Sequence, residues 1–103
     1  MNESGQTVAD KADERVVDDA GKPIARIKVH SPYKTYFDGE AYSISAENAT
    51  GPFDILPHHH NFITLLSPCV VTVRPVRGND QTIRISGGLM HVKSDRIVIF
   101  LDV

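Results

Sequence analysis

Three consecutive histidines, His58, His59 and His60, are the residues whose type could do the most chemistry in this chain. Imidazole is the commonest metal ligand and the side chain that titrates nearest neutral pH. A zinc ion needs three or four donors converging at roughly 2.0–2.3 Å. Neighbouring side chains in extended backbone leave on opposite faces, so at most two of the three can aim at one point. His30 and His91 complete a set only if the fold brings them close. A cupin-type arrangement also needs a glutamate shortly after its histidines, whereas Asn61-Phe62-Ile63-Thr64-Leu65-Leu66 stands here. The residues therefore read as a surface loop with one hydrogen-bonding histidine and no metal.

Other chemical groups are equally short of partners. Ser86-Gly87-Gly88 lacks the Gly-x-Ser-x-Gly frame of a nucleophile elbow. Gly87-Gly88 also lacks the Gly-Lys-Ser/Thr ending of a phosphate loop, and reads instead as a bulge or a close backbone approach. Asp38 and Glu40 flank Gly39 and read as a solvated turn. Cys69, the single cysteine, stands in an apolar run and reads as a small buried hydrophobe; no intramolecular disulfide can form. The expectation is a non-enzymatic binding domain with no cofactor.

Composition narrows the partners. At 103 residues and 41% apolar content, the chain makes one domain with one modest core. A formal net charge of −2 and no dense basic patch argue against nucleic acid. No apolar leader opens the sequence, and no run approaches the ~20 apolar residues of a membrane helix, so a soluble protein without direct membrane insertion is expected.

The elements that must position these residues are strands. Residues 1–23 carry six acids against three bases and little large apolar surface, and read as an acidic, mostly disordered arm with room for one helical turn between Val8 and Val17. From Ile24 onward the texture is β. The expected runs are Ile24 to Val29, Tyr36-Phe37 turned by Asp38-Gly39, Ala41 to Ala46, Phe62 to Leu66, Cys69 to Val76 with Pro75 on an edge or bulge, and Gln81 to Ser86. Gly87-Gly88 breaks that last strand, and Leu89 to Lys93 resumes it. Arg96 to Leu101 is so continuously apolar that burial on both faces is expected. Eight to ten short strands with frequent turns predict an all-β fold, a small β-sandwich or flattened barrel spanning residues 24–103.

The order of motifs resembles the N-terminal β-sandwich of the F-type ATP synthase epsilon subunit, called delta in mitochondria. That family has a Phe-x-Gly motif, a Gly-x-x-Gly-Ile-Leu-Pro-Gly-His-Ala-Pro-Leu loop, a Lys-Pro-Gly turn, a Ser-Gly-Gly-x-x-x-Val strand and a closing strand near Ala-Asp. Here stand Phe37-Asp38-Gly39, then Gly51-Pro52-Phe53-Asp54-Ile55-Leu56-Pro57-His58-His59-His60-Asn61, then Ser67-Pro68-Cys69, Ser86-Gly87-Gly88-Leu89-Met90-His91-Val92, and Phe100-Leu101-Asp102. Five positions depart: His58 replaces a glycine, His60-Asn61 replaces Ala-Pro, Cys69 replaces a glycine, and His91 replaces a glutamate. The family's C-terminal helical hairpin is not in these residues, and the acidic arm has no counterpart.

The resemblance implies a non-catalytic rotor subunit that links gamma to the polar loops of the c-ring and couples proton or sodium flow to ATP synthesis. It implies a peripheral position on the inner, cytoplasmic face of the cell membrane, held there by the complex. Inhibition of hydrolysis and ATP binding belong to the hairpin and are not expected of this chain. By position, Gly51 through Asn61 match the c-ring-facing loop, with His59 on the family histidine. Tyr33, Phe37 and Tyr42 are candidate gamma-facing aromatics. Gly39, Gly87 and Gly88 are expected to be structural turn glycines. The alternative is a free-standing sandwich used as a protein-binding or His-rich metal-responsive regulator.

Overall fold

The computed structural model describes residues 17–102. Eight strands run in order: β1 (Ala25–His30), β2 (Thr35–Asn48), β3 (Gly51–Ile55), β4 (His59–Leu66), β5 (Cys69–Pro75), β6 (Gln81–Ile85), β7 (Gly88–Ser94) and β8 (Arg96–Leu101). They form one hydrogen-bonded path, β4-β7-β8-β1-β2-β5-β6, with β3 attached to β2. Only β1 and β8 run parallel.

One strand turns this path into two layers. β2 pairs β1 from Thr35 to Ala41 and β3 from Ile44 to Asn48. On its opposite edge it pairs β5, and the register slips between Ala41 and Ser43. The extra residue, Tyr42, is a bulge that bends the strand and increases its twist. The first half of β2 thus belongs with β1, β8, β7 and β4, and the second half with β3, β5 and β6.

Alternation supplies the core. Ile27 and Val29 of β1, Ala41, Ile44 and Ala46 of β2, Val71 and Val73 of β5, Met90 and Val92 of β7, and Ile97 and Ile99 of β8 are buried at every second position, the bulge apart. They share one cluster with Ile55, Leu66, Ile85 and Leu101, so every strand contributes to it. Truncating one of the isoleucines, Ile99→Ala for example, is expected to cost about 2–5 kcal/mol.

Several local expectations are corrected. Tyr36-Phe37 and Ala41 to Ala46 are one 14-residue strand, and Gly39 is no turn: it lies inside β2 opposite Ile27. A Cβ there would sit 3.5 Å from the Phe37 ring, an ordinary contact. β7 does not resume β6, because it pairs β4 and β8 in the other layer. At Gly88 a Cβ would lie 2.5 Å from the Phe100 carbonyl oxygen, which is the close approach that demands glycine. Pro75 ends β5 opposite the bulge, past the last residue that β6 pairs, so its missing N–H costs nothing on that edge. β8 is buried on one face only: Phe100 is 51% exposed and Val98 half-buried, because the second layer covers a single side of the sheet.

Most of the expected acidic arm, with nearly all of the stretch from Val8 to Val17 expected to hold a helical turn, lies outside the described residues. Residues 17–23 fold back as a strap. Val17 bridges Pro23, and the Asp18 carboxylate accepts from the Ala20 and Lys22 amides at 2.9 and 2.8 Å. The Tyr42 hydroxyl donates to Asp18 at 2.6 Å, and the Lys22 ammonium sits 4.6 Å from the Tyr42 ring centroid.

Candidate functional site

The expected loop from Gly51 to Asn61 is mostly strand: Gly51–Ile55 is β3 and His59 opens β4, so only Leu56, Pro57 and His58 form the corner where the chain passes from the β2 layer to the β4 layer. Asn48 organises its approach: its side-chain oxygen accepts from the Thr50 amide at 2.9 Å, and its nitrogen donates to Thr64 at 3.1 Å. Gly51 has φ 120°, a left-handed region that only glycine enters freely. Pro52 and Asp54 face outward on β3, and Ser45 donates to the Asp54 carboxylate. Ile55 is buried against Ile44, which anchors the corner in the core. Leu56 stands 60% exposed at the tip, beside half-buried Pro57.

Aromatic rings stiffen the passage from this tip into β4. Phe53 and Phe62 meet edge to face at 6.0 Å, and His59 packs on Phe62 at 5.6 Å. His59 and His60 stack at 4.3 Å with 25° between their planes. This corrects the expectation that adjacent histidines diverge. The β4–β7 register shifts between His59 and Phe62, and such a bulge lets successive side chains share a side. His59 Nδ1 lies 2.8 Å from the His60 carbonyl oxygen, so that nitrogen carries a proton and donates. Among the described residues no group of three metal-ligating side chains converges; His30 instead packs on Phe100 at 4.4 Å.

His58 explains the glycine that the resembled family carries at its position. Its φ is 66°, a left-handed conformation that costs an L-residue about 1 kcal/mol and that histidine enters more readily than most. Its Nε2 is buried without a hydrogen-bond partner.

The three candidate aromatics do not converge. Tyr33 is 90% exposed at the β1–β2 turn, where the Ser31 hydroxyl accepts from the Tyr33 and Lys34 amides. Phe37 packs against the core. Tyr42 is held by Asp18, and that hydrogen bond raises the tyrosine's pKa and lowers the aspartate's.

A row of exposed apolar residues escapes a reading of the sequence. On the outer face of the first layer, Leu65 pairs Leu89, which pairs Phe100; Ile63 lies one row along. Ile63, Leu65 and Phe100 are 64%, 73% and 51% exposed. The signal for it lies in Phe62 to Leu66, where both parities of the strand are apolar: Phe62 and Leu66 face in, Ile63 and Leu65 face out. β4 joins this face directly to the His59–His60 corner.

Comparison with known proteins decides the family. Residues 25–103 match the family model described as ATP synthase, Delta/Epsilon chain, beta-sandwich domain. The chain belongs to this family. It is 31% identical over 77 residues to the ATP synthase epsilon chain of Clostridium novyi (strain NT), covering 75% of this chain and 59% of that one. It is 34% identical over 76 residues to the epsilon chain of Exiguobacterium sp. (strain ATCC BAA-1283 / AT1b), covering 74% and 56%. This epsilon-type chain thus spans somewhat over half the length of these relatives. Two solved structures share the sandwich at 20% identity. One is from the Euglena gracilis mitochondrial ATP synthase, with TM-score 0.70 over 85% of this chain and 57% of that one. The other is from the Tetrahymena thermophila mitochondrial ATP synthase central stalk and c-ring, with TM-score 0.60 over 75% and 62%.

Proposed function

We propose that this chain is a non-catalytic rotor subunit of a rotary ATP synthase, peripheral on the inner face of the membrane. It holds the gamma subunit and rests its Gly51–Asn61 corner on the polar loops of the c-ring. The observation that carries this reading is the exposed apolar row Leu65-Leu89-Phe100 with Ile63 beside it, continuous through β4 with the stacked histidine corner. Exposed apolar surface of this kind marks a docking site, and the corner offers imidazole donors and acceptors suited to polar loops. A rotor link must not shear, and two packed layers with one shared core resist shear. No helix among the described residues is long and apolar enough to cross a membrane, in keeping with attachment through partners.

Tyr33 belongs to the same reading as a second gamma contact, since its ring stands clear of the turn that presents it. A calorimetric titration of this chain into the gamma subunit of the same organism tests the proposal. Saturable binding at micromolar concentration or below is expected; its absence overturns the reading.

A further inference from the structure

The outer face of the first layer sets a histidine inside its apolar surface. Across the strands, Ile63 pairs His91, His91 pairs Val98, and Val98 pairs Lys28. One row along run Leu65, Leu89, Phe100 and His30. His91 is therefore exposed yet bordered by Ile63 and Val98 across the sheet, by Leu89 along its own strand, and by Leu65 and Phe100 on the diagonals, which are within reach of long side chains. A partner that covers Leu65, Leu89 and Phe100 covers His91 as well. The resembled family carries a glutamate at this position.

The charges around His91 are of one sign. Lys93 stands next along β7 on the same face, and Arg96 stands on the diagonal across β8. On β4 the neighbours Asn61, Ile63 and Leu65 carry no charge. The acids of this face are engaged elsewhere. Asp38 pairs Lys28 and holds Arg26 at 2.9 Å, and Glu40 pairs Arg26, both on β2, three strands from β7. Asp95 sits at the β7–β8 turn between Lys93 and Arg96. An imidazolium at His91 thus has cations and apolar groups beside it. Covering it strips its water and supplies no counter-charge, whereas a neutral imidazole is covered at far smaller cost.

We propose that His91 gates this face by pH: an apolar partner surface docks while the imidazole is neutral and is released when it gains a proton. With gamma as that partner, the gate rests on the function proposed above. The sign follows from linkage: affinity is full on the alkaline side and falls as the pH drops through the histidine range, between pH 8 and 5. His30 does not share the role. Its ring lies 4.4 Å from that of Phe100, and a cation held against an aromatic ring is stabilised. Lys28 on its own strand and Thr35 across β2 complete its surroundings, with Asp102 two residues beyond Phe100.

Calorimetric titration into gamma between pH 8 and 5.5 tests the gate. A single imidazole that must be neutral to bind weakens affinity about tenfold at one pH unit below its midpoint, and a weakening of that size is expected. His91→Gln keeps a neutral polar side chain and should reduce the span to within about twofold, whereas His30→Gln should keep the tenfold span. A span that survives His91→Gln, or an affinity that rises on acidification, overturns the proposal. Nile red, a neutral apolar dye, reads the face without gamma. Its fluorescence should fall with pH on the native chain and stay level on His91→Gln; a response that is absent or the same in both chains overturns the gate. If gamma fails to bind at every pH while the dye response follows His91, the rotor reading falls and the gate stands.

Discussion

The two outer faces of this sandwich are built to opposite rules. On the second layer, the Arg74 guanidinium donates to Ser43 and Ser45 at 3.0 and 2.8 Å, and Ser45 donates onward to Asp54. Around them β5 and β6 present Thr72, Thr82 and Arg84, with Val70 the one large apolar residue exposed there. Arg74, Ser43, Ser45 and Asp54 satisfy one another across this face. On the first layer Ile63, Leu65, Leu89 and Phe100 face solvent, with the His30 ring packed on Phe100 and no second layer over them. Both faces cover the same core, so folding does not require the difference. A surface that finishes its own hydrogen bonds is a boundary, whereas one that leaves apolar rows uncovered is a joint.

The largest expected effect comes from making the joint resemble the boundary. The double variant Leu65→Thr with Phe100→Thr keeps good strand formers on the sheet. It should weaken gamma binding by about 30-fold or more, the scale of an interface hot spot, while shifting stability by less than about 0.5 kcal/mol. Calorimetry and urea unfolding read the two quantities separately. Equal loss in both would mean that the apolar row is ordinary core.

The mirror experiment alters the boundary. Arg74→Ala removes two charge-assisted hydrogen bonds in a half-buried setting and should cost about 1 kcal/mol of stability. Gamma affinity should stay within about twofold, which the same titration checks.

Smaller effects sharpen the role of the corner. His58→Gly removes the left-handed strain and the orphaned Nε2, and should raise stability by up to about 1 kcal/mol. His58→Ala keeps the strain and should not. If both variants behave alike, the backbone conformation at His58 is not the cost.

The smallest expected effect concerns the strap. The hydrogen bond from Tyr42 lowers the Asp18 pKa, so the strap's contribution is present above the ordinary aspartate range near pH 3.9 and is lost as pH falls through the depressed value. The raised Tyr42 pKa places the opposite limit in alkali: the contribution is complete below about pH 10 and is lost as pH rises through the raised value. Tyrosine fluorescence or nuclear magnetic resonance should report release at both extremes, and Asp18→Asn should remove the acid limb. An unchanged acid limb would show that another group controls it.

Much of the fold was legible because burial follows parity. Ile27 with Val29 and Ile83 with Ile85 announce their inner face by alternation alone. The length of β2 was not legible, because Asp38-Gly39 carries turn chemistry; it is the pairing of these two residues with Lys28 and Ile27 of β1 that carries the strand through. The joint was illegible for a deeper reason. An exposed leucine and a buried one are the same letter, and Phe100 inside Ile-Val-Ile-Phe-Leu reads as core until the layer that fails to cover it is known. The histidine corner was half legible: its place in the loop could be read, while the bulge that stacks His59 on His60 depends on pairing with β7.

Hydrogen exchange on this chain, alone and saturated with the gamma subunit, tests the central claim most directly. Exchange slows along β4, β7 and β8 on binding and stays unchanged in β5 and β6 if the apolar row is the gamma joint. Slowing confined to β5 and β6, or no change anywhere at concentrations where gamma is bound, would contradict it.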